Sequence, residues 1–185
     1  MSKNGLILLK PTTVDKTGAS STATISALGS VEFGSCETLS LNGVFSADYD
    51  NYMVIVRDIQ TSGTQNFLGR FRVGGTDNST ASSYTSQELT ANGTSVTGAI
   101  RNVATSGYFV TSSSVQYCGS VLHFYGPYLA QPTAWRQVTA NGYLSATIFD
   151  TAGTHNQSVA YDGFSIITPT TTTLSGRIAV YGMRK

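Results

Sequence analysis

The residues able to do chemistry in this chain are few. Glu32, Glu37 and Glu88 are the only glutamates, His123 and His155 the only histidines, and Cys36 and Cys118 the only cysteines. Glycoside hydrolysis needs two carboxyl groups facing one another across a cleft a few ångströms wide, and no local pattern sets up such a pair. A zinc site needs Cys and His at short fixed spacings. His123 stands alone in Val121-Leu122-His123-Phe124-Tyr125, and His155 stands alone in the polar stretch Gly153-Thr154-His155-Asn156. Neither a Gly-x-Ser-x-Gly nucleophile turn nor a Gly-x-x-x-x-Gly-Lys-Ser/Thr phosphate loop occurs. Asp48-Tyr49-Asp50-Asn51 carries oxygens at i, i+2 and i+3, as a calcium loop would. It lacks the Gly and terminal Glu of such a loop, and a turn before a strand accounts for the same residues. The sequence therefore predicts no enzyme: no catalytic residue, no metal and no cofactor is assigned.

Aromatic residues are the better lead. Tyr125-Gly126-Pro127-Tyr128 and Trp135 are predicted at strand ends or turns, where an amphipathic ring can stack on a sugar or anchor a protein contact. Tyr125, Tyr128 and Trp135 are thus candidate glycan or protein contacts. The competing reading is that they close the ends of a β-core.

Short β-branched and aromatic runs recur between clusters of Gly, Asn, Ser and Thr, the pattern of an all-β sandwich or barrel. Tyr52–Ile59 is apolar on both faces for most of its length and is predicted as a central strand. In Phe67–Val73, Phe67, Phe71 and Val73 are expected on one face, with Arg70 and Arg72 on the other, before Gly74-Gly75 ends the run. Further strands are expected at Tyr84–Leu89, Tyr108–Thr111, Ser120–Tyr125, Ala134–Thr139, Tyr143–Phe149, Ala160–Ile167 and Leu174–Tyr181. Asn141-Gly142 suits a type I′ hairpin turn between two of them. Eight to ten strands at this spacing predict a two-sheet antiparallel jelly-roll-like sandwich over residues 31–185, with an up-and-down barrel as the alternative.

Residues 1–30 read differently. Leu6, Ile7, Leu8 and Leu9 form a short apolar run closed by Pro11, and Thr12 to Ser30 is mostly Thr, Ser, Ala and Gly. The segment is predicted as an extended N-terminal arm, ordered by a partner or frayed, with Leu6–Leu9 as its assembly contact.

Composition narrows the partners. Charged residues make up 11% of the chain against about 25% in an average domain. With eleven scattered basic residues and a net charge of +1, neither a nucleic-acid surface nor polybasic membrane attachment is expected. Four consecutive apolar residues near the start fall short of a signal-peptide core, so both cysteines are expected reduced and packed as small apolar groups. Three Asn-x-Ser/Thr sequons, at Asn78, Asn92 and Asn156, match chance in so Ser/Thr-rich a chain.

One resemblance adds to this reading. Tyr49-Asp50-Asn51-Tyr52-Met53-Val54-Ile55-Val56 is followed by Leu68-Gly69-Arg70-Phe71-Arg72-Val73-Gly74-Gly75 and Tyr84. The chain closes on Ser175-Gly176-Arg177-Ile178-Ala179-Val180-Tyr181-Gly182. This series resembles small jelly-roll virion proteins of tailed bacteriophages, especially marine phages and cyanophages, found as capsid decorations or tail-fibre components. The resemblance spans roughly residues 31–185. It implies a virion protein assembled in the host cytoplasm as a symmetric homo-oligomer, often a homotrimer. Its partners would be itself and a major capsid or tail protein. A capsid decoration or cement protein is the leading expectation, and a tail-fibre or receptor-binding module on host polysaccharide the second.

Overall fold

A computed structural model describes residues 5–62, 65–112, 118–141, 147–169 and 172–184. Its strands, in chain order, begin with β1 (Leu6–Leu9), β2 (Thr13–Thr17), β3 (Thr22–Ile25), β4 (Val31–Cys36), β5 (Thr38–Asn42) and β6 (Tyr49–Thr61). Then come β7 (Gln65–Val73), β8 (Thr76–Asp77), β9 (Tyr84–Asn92), β10 (Ser95–Ala104) and β11 (Gly107–Ser112). The last five are β12 (Cys118–Tyr125), β13 (Thr133–Asn141), β14 (Thr147–His155), β15 (Gly163–Ile167) and β16 (Leu174–Arg184). No helix occurs among the described residues.

Two antiparallel sheets pack as a jelly-roll-like sandwich. The larger has ten strands in the order β10-β9-β14-β13-β12-β6-β16-β4-β3, with β1 beside the C-terminal half of β16. The smaller runs β11-β7-β15-β5-β2, with β8 folded back on β7. Between them Tyr52, Val54 and Val56 of β6 and Leu122 and Phe124 of β12 meet Leu39 and Leu41 of β5, Phe67 and Phe71 of β7, and Phe164 of β15, all buried. Phe71 is the hub, with ring centroids of Phe109, Phe124 and Tyr161 each 5.2 Å away in edge or stacked arrangements.

Three strands between Leu6 and Ile25 are built into the two sheets, which corrects the reading of a free arm over the described part of residues 1–30. Leu6 and Leu8 pair with Met183 and Tyr181, β2 adds to β5, and β3 adds to β4. Leu9, Val14, Ala23 and Ile25 pack against the core. Small polar side chains suffice here because backbone hydrogen bonds and a few inward apolar groups carry an edge strand; no large anchor is required.

Three further differences are local. Val73 lies at the end of β7, where the sandwich no longer covers it, and is exposed, whereas Phe67 and Phe71 are buried. Arg72 points to the outer face as expected yet is buried there, because the β7–β8 hairpin folds over it. Its guanidinium donates to Ser40 Oγ (2.9 Å), Ser165 Oγ (2.9 Å), Asn42 Oδ1 (3.0 Å) and Asp77 Oδ1 (2.6 Å). The β13–β14 hairpin forms with Asn141 paired to Thr147, so β14 starts at Thr147; residues 142–146, including Gly142, lie outside the described residues. Cys36 and Cys118 are both buried, packed among apolar groups as expected.

Candidate interaction surface

The three aromatic candidates separate in the structure. Trp135 sits mid-strand in β13 and points inward, 1% exposed, with its indole Nε1 donating to the Tyr108 carbonyl at 3.1 Å. Gly107 and Gly153 lie against its ring, where a Cβ would collide with it. Trp135 is a core residue and presents no surface for a ligand, which corrects its placement at a strand end. Tyr128 is half-buried against the core in the turn after β12. Tyr125 alone is open, 45% exposed on the outer face of the ten-stranded sheet.

That outer face is the most unusual feature of the molecule. In a strand, alternate residues reach opposite faces, and residues paired across strands share a face. The registers therefore lay out rows. One row runs Ala179, Ile55, Val121, Val138, Asp150, Leu89 across β16, β6, β12, β13, β14 and β9. The next runs Leu8, Tyr181, Met53, His123, Arg136, Ala152, Gln87. A third carries Leu6, Met183, Asn51, Tyr125, Ala134 and Thr154, and a fourth carries Gly119, Ala140, Ile148, Ala91 and Val96. Leu89 (51% exposed), Ile148 (52%) and Val96 (73%) are large apolar groups left open to solvent. Val121 and Val138, directly paired, are partly open as well.

Charge is nearly absent from these rows. Arg136 and Asp150 close on each other, Nη2 to Oδ2 at 2.6 Å and Nε to Oδ1 at 3.0 Å. The hydrogen bonds from Arg136 hold the Asp150 carboxyl below its usual range. His123 lies beside Tyr125 with centroids 6.5 Å apart. At one side of the face a groove of about 490 Å³ opens between Leu8, Leu28, Ile55 and Tyr181, with Arg57, Arg177 and Glu32 along it. Thus Leu6, Leu8 and Tyr125 come together on one surface, while Ile7 and Leu9 alternate to the opposite side of β1.

The sequence reading missed Ile55, Leu89, Val121, Val138 and Ile148. The signal was apolar residues at both parities, as in Val54-Ile55-Val56 and Val121-Leu122, which reads equally as a strand covered on both faces.

Among the described residues, buried polar groups are engaged with one another. Glu88 of β9 is buried and accepts hydrogen bonds from Thr111 Oγ1 (3.0 Å), Thr151 Oγ1 (3.2 Å) and Thr90 Oγ1 (3.3 Å). Gln137 continues this network to Thr139, Ser120 and Thr151. His155, expected in a polar loop, is the buried last residue of β14. Its ring stacks on Tyr84 at 4.0 Å. Its Nδ1 donates to the Ser83 carbonyl (3.2 Å), and Nε2 accepts from the Tyr161 hydroxyl (2.6 Å), which itself accepts from Asn78. Burial pushes the His155 pKa down to about 4 and the Tyr161 pKa up to about 12. Ser46 and Asp48 bond each other in the turn before β6, in line with the turn reading of that acidic stretch. Among the described residues no group of three or more His, Cys, Asp or Glu is placed to hold a metal ion.

No family model matches the chain, and no curated protein matches it. Among solved structures, a GH54 α-L-arabinofuranosidase (E221Q mutant, soaked with 4-nitrophenyl α-L-arabinofuranoside) is similar at 11% identity and a TM-score of 0.36. That alignment covers 84% of this chain and 37% of the other, so this chain spans little more than a third of that protein. The SPRY domain of human HERC1 is similar at 9% identity and a TM-score of 0.31, covering 92% and 99% of the two chains. The catalytic domain of a Thermotoga petrophila laminarinase follows at 8% identity and a TM-score of 0.25, covering 99% and 79%.

Proposed function

We propose that this chain is a non-enzymatic assembly module. Its most economical role is a virion structural protein of a tailed phage, of the capsid decoration or cement kind, docked on the particle as a symmetric oligomer. The observation that carries this reading is the outer face of the ten-stranded sheet. An antiparallel sheet facing water alternates apolar inward and polar outward, and this sheet is apolar on both sides over several strands. Contiguous exposed apolar surface of that extent marks protein contacts. The low charge of the whole chain and its resemblance to small phage virion proteins support the same reading.

A tail-fibre or receptor-binding module is the second reading, favoured by Tyr125 and His123 side by side on the same face, where a sugar ring can stack. The copy number of the chain relative to the major capsid protein in purified particles, read by quantitative mass spectrometry, separates the two. Hundreds of copies are expected for a lattice-wide decoration protein. A dozen or fewer moves the chain to the tail or a unique vertex, and absence from particles overturns both.

A further inference from the structure

We infer that the apolar outer face of the ten-stranded sheet is covered by the same face of a second copy of this chain, in an isologous pair. The inference rests on the reading of the chain as an assembly module and names the occupant of that surface.

Area is the first argument. Seven neighbouring strands, β9, β14, β13, β12, β6, β16 and β1, contribute outward residues to the first three rows. At a strand spacing near 4.8 Å and a same-face repeat near 6.8 Å, they present roughly 34 by 25 Å, on the order of 800 Å². That is about what each partner of a stable interface buries.

Charge is the second. A surface that meets its own copy must not place like charges against like. The central rows hold one acid and one base, Arg136 and Asp150, already paired with each other. Lysine, the residue that most often keeps sheets apart and that interfaces exclude, is missing from this sheet among the described residues: Lys10 lies between β1 and β2, and Lys16 belongs to β2 of the smaller sheet. Of the other charged residues in its strands, Arg57, Arg177 and Glu32 sit together at the groove on one side, with Asp58 near Glu32 and Arg177. Asp50, Arg101 and Arg184 lie in β6, β10 and β16, Arg101 paired with Gln87 at the end of one row.

Contrast with the opposite surface is the third. The outer face of the smaller sheet is polar, with Arg70, Ser165, Ser40 and Asp15 in one row and the Arg72 cluster beside it, the composition of a face that lives in water. Only the larger sheet is left apolar. Two regular sheets of the same twist pack face to face about 10 Å apart with interdigitating side chains, and a second copy supplies that matching twist. Paired Val121 and Val138 form the centre, flanked by Ile55, Leu89 and Ile148.

Sedimentation velocity on the full chain between 1 and 100 µM tests this. The wild type is expected as a dimer of the 19.5 kDa chain, or a higher even-numbered assembly. Val121→Glu with Val138→Glu is expected to halve the assembly, with far-UV circular dichroism and thermal midpoint retained. Should that double variant unfold, Val138→Thr, nearly isosteric and outward-facing, is expected to raise the dissociation constant by ~10-fold. A monomeric wild type at 100 µM, an odd-numbered oligomer, or an assembly unchanged in the variants overturns the inference. Failure of the assembly reading shows separately, as absence from particles of a chain that still dimerises in solution.

Discussion

His155 is the residue whose burial has the clearest consequence. The ring is neutral, its tautomer fixed by donation to Ser83 and acceptance from Tyr161, and its folded pKa lies near 4 against about 6.5 when unfolded. Between those values the unfolded chain binds a proton that the folded chain refuses. The stability linked to His155 is therefore fully present above about pH 6.5 and is lost as pH falls toward 4, by up to about 3 kcal/mol. Urea denaturation at pH 4.5 and 7 is expected to show this loss, and His155→Gln to remove most of the slope. Identical slopes in the two proteins would assign the acid sensitivity elsewhere. Trp135 illustrates the opposite of a surface aromatic. Trp135→Ala is expected to cost about 3–5 kcal/mol by emptying the centre of the sandwich, measured by chemical denaturation. A variant as stable as the wild type would return Trp135 to the surface.

At the scale of elements, the N-terminal strands belong to the fold. β1 and β3 extend one sheet and β2 the other, and Leu9, Val14, Ala23 and Ile25 rest on the core. Deleting residues 1–30 strips the edges of β4, β5 and β16 and uncovers those contacts. Calorimetry is expected to show a fall in thermal midpoint of more than about 10 °C, as several kcal/mol are lost from a domain of this size. An unchanged midpoint would mean that these strands dock without supporting the sandwich. Most strands from β6 onward were legible from alternation and turn residues. The first three were not, because they are short, β2 and β3 are built mostly of small or polar residues, and β1 and β2 owe their place to partners remote in sequence. The sixth, twelfth and sixteenth strands could be placed because their apolar runs have few alternatives. The strand expected at Tyr143–Phe149 instead runs over Thr147–His155 among the described residues, its second half too polar to be read as a strand.

For the whole molecule, the distribution of charge sets how association responds to salt. Contacts through the apolar face release no counterions and close no exposed ion pair beyond Arg136–Asp150. Raising sodium chloride from 50 to 500 mM is expected to leave self-association within about twofold, or to strengthen it slightly through the hydrophobic term. A weakening of tenfold or more, read in the same sedimentation experiment, would place the contact at the Arg57–Arg177–Glu32 groove instead of the apolar rows.

The sequence by itself determined the class of the protein: an all-β sandwich, because alternating β-branched and aromatic runs between turn residues have no stable helical solution. It also fixed the absence of recognisable catalytic motifs, since those are written in local spacing. Tertiary structure alone decided which apolar residues are covered. Val54 and Ile55, or Val121 and Leu122, look alike in sequence, and only the position of the second sheet buries one of each pair and leaves the other outside. It likewise decided that Trp135 is core, that Arg72 is buried, and that Leu6, Leu8 and Tyr125 share a face. Each outcome depends on strand partners remote in sequence, and pairing across such distances is set by the packing of the whole chain.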